Sequence, residues 1–83
     1  MSQINIKYFA LLKEEAGVAE EIYRGTEILD MTLIEMYQQL KRKHNFTLRP
    51  ESLRVAVNLE FTDWNYKISQ GDSIAFIPPV SGG

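Results

Sequence analysis

Residues 31–45 read Met31-Thr32-Leu33-Ile34-Glu35-Met36-Tyr37-Gln38-Gln39-Leu40-Lys41-Arg42-Lys43-His44-Asn45, and they carry the helix around which everything else can be arranged. Thr32 and Glu35 have the spacing of a capping box, in which each side chain takes up a backbone N–H that the first helical turn leaves without a partner. Met31 and Met36 hold the two positions of a hydrophobic staple across that start. Leu33, Met36, Tyr37 and Leu40 recur at i, i+3, i+4 and i+7, which places them on a single apolar face. Lys41, Arg42, Lys43 and His44 complement the negative end of the helix dipole, and Asn45 can adopt the left-handed conformation that ends a helix. A helix with one apolar face has to bury that face against something else.

Upstream, Ile4, Ile6 and Tyr8 alternate with Asn5 and Lys7, the period of a strand with one buried face. Ala10 to Ala16 reads as a short helix that Gly17 stops. Ala19 to Arg24 alternates around Ile22 up to Gly25, so the first two strands form an antiparallel pair. Downstream, Arg54-Val55-Ala56-Val57 opens a third strand. Asn58-Leu59-Glu60 either continues its alternation or turns into a short partner strand. Ser69-Gln70-Gly71-Asp72 carries turn residues, and Ile74-Ala75-Phe76-Ile77 is the last strand. Strand pairs on either side of one main helix predict an α+β domain, a mixed sheet wrapped around a helix in the β-grasp (ubiquitin-like) arrangement, with the last strand inside the sheet. The domain spans 1–77, and 78–83 form an extended tail.

The tail, Pro78-Pro79-Val80-Ser81-Gly82-Gly83, is where chemistry is expected. Proline fixes its own φ and keeps the preceding residue extended, so the chain should leave the body pointing outward. Glycine has no Cβ and can thread a channel too narrow for a side chain. Six extended residues reach roughly 20 Å, enough to enter another protein's active site. A Gly-Gly ending alone reads as a frayed terminus, but the Pro-Pro-Val before it argues for a built arm that presents the Gly83 carboxylate. Phe76, Pro78 and Val80 are expected to dock near the tail root, with ordinary core packing an equal reading of Phe76.

Composition narrows the function. Eighty-three residues make one small domain, and 45% apolar residues supply a core. Nine basic against eleven acidic residues leave a net charge of −2, the wrong sign for neutralising nucleic-acid phosphates. With no cysteine, the chain can hold neither a disulfide nor a thiolate nucleophile, and any sulfur it carries must sit on its terminal acyl group. No apolar run is long enough to span a membrane and no signal peptide is evident, so a cytoplasmic location is expected.

The runs Ile4-Asn5-Ile6-Lys7-Tyr8-Phe9-Ala10 with Gly17, Val57-Asn58, and above all Gly71-Asp72-Ser73-Ile74-Ala75-Phe76-Ile77-Pro78-Pro79-Val80-Ser81-Gly82-Gly83 resemble the small subunit of molybdopterin synthase, the MoaD-like sulfur carriers, over essentially the whole chain. The resemblance implies that Gly83 is adenylated by a ubiquitin-activating-like enzyme, which brings ATP and magnesium. It further implies that the acyl-AMP is converted by a sulfur donor to a thiocarboxylate, and that a large subunit takes this sulfur into the molybdopterin dithiolene, within a heterotetramer. No cofactor or metal would stay bound, and the chain would not be catalytic alone. Gly82 would give access to the reaction centre, while Pro78, Pro79, Val80 and Ser81 would contact the partner. The resemblance also implies a turn at Asn58. Trp64-Asn65-Tyr66 and Gln70 depart from the family pattern.

Other signals point elsewhere only weakly. His44 is explained by the helix end it occupies, and the run Lys41 to Lys43 by solvation. Glu14-Glu15 and Glu20-Glu21 read as solvated pairs, and Trp64 and Tyr66 as packing residues. The competing functions are a thiazole-pathway sulfur carrier, a ubiquitin-like modifier that conjugates to lysines, and a β-grasp interaction module with an idle tail.

Overall fold

In the computed structural model, which describes residues 3–79, the opening alternation becomes strand β1, Gln3–Tyr8, with Ile4, Ile6 and Tyr8 buried. Ala10 then takes φ 52° and ψ −126°, a region that costs an L residue strain, and helix α1, Leu11–Ala16, follows. Gly17 closes it in the left-handed conformation (φ 79°) by donating its N–H to the Lys13 carbonyl at 2.9 Å. Strand β2, Glu20–Arg24, returns antiparallel to β1, with Lys7 opposite Glu20 and Asn5 opposite Ile22. Because Asn5 lies on the face away from the core, Ile22 does too, and it is 49% exposed. Glu21 and Tyr23, not Ile22, take up the half-buried positions of this strand.

Helix α2, Leu33–His44, begins on the complete capping box: Glu35 N–H donates to Thr32 Oγ1 at 3.3 Å and Thr32 N–H to Glu35 Oε1 at 2.9 Å. Leu33, Met36, Tyr37 and Leu40 are its fully buried face, Met31 packs against the same core, and Asn45 ends the helix at φ 58°. A 3₁₀ turn at Pro50–Ser52 leads into strand β3, Arg54–Val57. Asn58 (φ 53°) and Leu59 (φ 75°) then make a two-residue turn of the type I′ pattern into strand β4, Glu60–Thr62, which settles the open reading of this segment as a turn.

Strand β5, Ser73–Ile77, lies parallel to β1 and antiparallel to β3, giving a mixed sheet in the order β2-β1-β5-β3-β4. The last strand is therefore the central one. Ile4, Ile6 and Tyr8 from β1, Val55 and Val57 from β3, and Ile74 and Phe76 from β5 meet the apolar face of α2 in one core. The architecture is the α+β β-grasp fold.

Candidate functional site

The tail root is held from both sides. Phe76 stands beside Tyr8 on β1 and Val55 on β3, and Ile77 beside Arg54, so β5 is in the ladder up to the residue before Pro78. Phe76 has no exposed surface: its ring lies 5.3 Å from that of Tyr37 and stacks on Trp64 at 5.9 Å between centroids. Of the two readings of Phe76, core packing is the correct one, because its place on a central strand turns it toward α2. Pro78 is buried as well and Pro79 is exposed. Phe76 and Pro78, expected to dock near the tail root, are therefore covered, and of the residues expected to contact the partner Pro79 is the one among those described whose surface is free. Val80, Ser81, Gly82 and Gly83 lie outside the described residues.

The far end of β5 is fixed by a polar knot. Asp72 is buried and accepts from the Ser69 N–H at 2.8 Å, from the Tyr66 hydroxyl at 2.9 Å and from Asn58 Nδ2 at 3.0 Å. Asn58 Oδ1 in turn accepts from the Ser73 N–H at 3.0 Å. Tyr66, a departure from the family pattern, is half-buried and engaged in this knot, and its bond to Asp72 raises its hydroxyl pKa. Trp64 packs on Tyr37 and Phe76. Both aromatics are structural.

A second polar cluster braces the core beneath the tail root. Glu21 Oε1 receives the Tyr8 hydroxyl at 2.5 Å and faces His44 Nε2 at 2.7 Å, while Lys43 Nζ reaches Oε2 at 2.8 Å. Burial works against ionisation of Glu21, but the bonds from Lys43, Tyr8 and His44 outweigh it and hold the carboxyl at about 2. Burial, reinforced by Glu21, pushes the Tyr8 hydroxyl far above its ordinary value, so it remains a donor. The solvated reading of Glu21 is corrected here, because β2 carries it under the C-terminal turn of α2, where it is largely covered; Lys43 pairs with it while staying exposed, as expected of the helix end. Glu15 is occupied too, accepting from the Thr47 N–H at 3.1 Å and hydroxyl at 2.7 Å.

On the opposite, helix-free face of the sheet lies an apolar groove of about 250 Å³. Ala56, Ser73 and Ala75 make its floor, and Phe9, Leu59, Phe61 and Ile77 its walls. Ile77 is the last residue before the tail, so the groove runs to the tail root. Nothing in the sequence periodicity marks it, because it arises from the register of separate strands. Among the described residues no group of three or more acidic or histidine side chains could hold a metal ion, and no helix is long and apolar enough to cross a membrane.

The tail root is thus anchored in the sheet beside an open apolar face. The model of the ThiS family matches residues 6–83. The chain belongs to the ThiS family. It is 36% identical to the molybdopterin synthase sulfur carrier subunit of Dictyostelium discoideum, over 99% of this chain and 98% of that one. It is 30% identical to the protein of the same name from Escherichia coli K12, over 96% and 99%. These relatives place it with the MoaD-like sulfur carriers. Among solved structures, small archaeal modifier protein 1 (SAMP1) of Haloferax volcanii superimposes with a TM-score of 0.75 at 26% identity, covering 98% and 99% of the two chains. The complex of subunits 1 and 2 of the molybdopterin-converting factor from Helicobacter pylori contains a chain of the same fold, with a TM-score of 0.65 at 21% identity over 98% and 99%.

Proposed function

We propose that this chain is the sulfur-carrier small subunit of molybdopterin synthase. The observation that carries the reading is the end-to-end similarity to two molybdopterin synthase sulfur carrier subunits. The thiazole-pathway and protein-modifier alternatives are less favoured, because the Dictyostelium discoideum and Escherichia coli relatives, at 36% and 30% identity, both carry the molybdopterin synthase name, whereas the modifier SAMP1 is matched at 26%.

In this reading residues 78–83 are the working arm and the Gly83 carboxylate is the reacting group. An α-carboxylate with a pKa of about 3.5 is ionised at neutral pH, and its carbonyl is a poor target for a sulfur nucleophile. An adenylating enzyme resolves this: a Gly83 oxygen attacks the α-phosphorus of ATP, pyrophosphate leaves, and the acyl-AMP so formed carries a good leaving group. A sulfur nucleophile then displaces AMP and leaves a thiocarboxylate. The magnesium ion and cationic groups that stabilise these steps belong to the activating enzyme. The large subunit accepts the sulfur into the dithiolene, and water returns Gly83 to the carboxylate. A large-subunit partner is supported by the Helicobacter pylori structure, which is described as a complex of subunits 1 and 2. Two carriers with two large subunits, working in the cytoplasm, complete the proposal. Gly82 gives the acyl carbon access to narrow partner channels, and Pro79, Val80 and Ser81 line the arm's path into them.

Intact mass measurement after incubation with the activating enzyme, ATP and a sulfur donor tests it. The expected result is a mass gain of one sulfur-for-oxygen exchange, located at Gly83 by fragmentation; an unchanged mass rejects the reading.

A further inference from the structure

The sheet ends on β2 at one side and on β4 at the other, and the β2 edge is complementary to itself. Along β1 the Tyr8 N–H turns toward β2, donating to the Ala19 carbonyl at 2.8 Å, whereas the Asn5 N–H turns the other way, to the Asp72 carbonyl at 3.0 Å. Sides alternate along a strand, so Glu21 and Tyr23, which stand opposite Ile6 and Ile4, direct their backbone groups to β1. Glu20, Ile22 and Arg24 therefore direct theirs outward, where no strand lies among the described residues. All three side chains are exposed, Ile22 at the middle of the strand by 49%. Among the described residues neither Glu20 nor Arg24 forms an ion pair. An apolar residue halfway along an open edge is a liability that edge strands ordinarily avoid.

We infer that β2 pairs antiparallel with β2 of a second copy of this chain, about a twofold axis at Ile22, joining two sheets into one. In that register Ile22 faces Ile22, Glu20 faces Arg24 of the second copy, and Arg24 faces its Glu20, so an apolar pair is flanked on both sides by opposite charges. The residues matched in this way are the ones whose N–H and C=O groups point outward, and each exchanges both bonds with the opposite strand. A slip of two residues in either direction sets Ile22 against Glu20 or against Arg24 and loses both charge pairs, which fixes the register. The β4 edge has no such symmetry, since pairing about Phe61 sets Glu60 against Thr62. Because β1 lies between β2 and β5, the pairing leaves the tail root open. Five residues a side make a contact well below the size of a permanent interface, so the dimer is weak, with a dissociation constant on the order of 0.1–1 mM.

Sedimentation equilibrium and amide NMR of the full chain, from about 10 μM to about 2 mM, test this. The mean mass should rise toward twice that of the monomer, and the amides of Glu20, Ile22 and Arg24 should gain exchange protection with concentration, while those of Glu21 and Tyr23, already bonded to β1, should not. Glu20→Arg and Arg24→Glu should each weaken self-association about tenfold, because the twofold axis makes two like-charge pairs from one substitution. An equimolar mixture of the two variants should associate as the unaltered chain does, since each then meets the opposite charge. A chain that stays monomeric up to about 2 mM would overturn the inference. So would a mixture that associates no better than either variant alone, or concentration-dependent protection and shifts centred on Phe61 instead of Ile22.

Discussion

Replacing Glu21 with glutamine isolates the brace that joins β1, β2 and the end of α2. The carboxyl moves from an ordinary 4.5 to about 2 on folding, because Lys43, Tyr8 and His44 together outweigh the cost of its burial. At about 1.4 kcal/mol per unit, that shift is worth ~3 kcal/mol of folding free energy. The side chain is only 17% exposed, so solvent screening removes little of it. The sign follows from the direction of the shift: a depressed carboxyl stabilises the fold above its unfolded pKa and loses that contribution as pH falls toward the folded value. The unaltered chain should therefore exceed Glu21→Gln in stability by up to about 3 kcal/mol between roughly pH 5 and 7, and the gap should close as pH drops from about 4.5 to about 2. Urea unfolding followed by circular dichroism across that range measures both curves. A gap that stays constant down to the acid end would show that the loss comes from shape or packing, and the ionic account of the cluster would be wrong.

Phe76→Ala should cost about 3–5 kcal/mol in denaturant unfolding, as expected for a buried ring lost from between Tyr37 and Trp64; a variant with unaltered stability but weakened partner binding would restore the surface role that burial denies it. Asp72→Ala leaves the Ser69 N–H, the Tyr66 hydroxyl and Asn58 Nδ2 without their acceptor and should cost about 2–4 kcal/mol, with the Asn58-Leu59 turn losing amide exchange protection first; uniform protection would contradict the knot's local role. Gly82→Ala should slow sulfur transfer about tenfold or more at saturating large subunit while leaving the unfolding midpoint unchanged, and normal turnover would count against a narrow channel.

The helix was legible because its signals are local: a cap three residues from its partner, an apolar face repeating every turn, and an asparagine at the stop. The central place of β5 followed from strand order. Legibility ended where long-range partners decide the outcome. Glu21 meets Tyr8, Lys43 and His44 across 13, 22 and 23 residues, and no short window of sequence links them. The face of β2 was obscured because Ile22 is the most apolar residue in a strand whose register places it outside, opposite Asn5. Phe76 shows the same limit, since an aromatic next to a tail root serves equally as core or contact until the partners of its strand are known. The groove could not be read at all from alternation, being built from alanines on two strands and large side chains on a turn and a strand edge.

The position of β5 explains why docking and reaction should be separable in this molecule. A tail leaving an edge strand would inherit the fraying of that strand, whereas β5 is paired with β1 as far as Phe76 and with β3 as far as Ile77. Asp72 fixes where the strand begins, Phe76 fixes its face, and Ile77 shares a wall with the groove. The direction in which the arm departs is therefore set relative to the surface carrying Leu59 and Phe61. A partner that grips this face receives the arm in one orientation, and the effective concentration of the Gly83 acyl group at its active site is then decided by the six residues between. Changes on the face should act on affinity, and changes in the arm on rate at saturation. A Leu59 or Phe61 substitution that lowered the saturated rate with affinity intact would show that the body does more than hold and aim the arm.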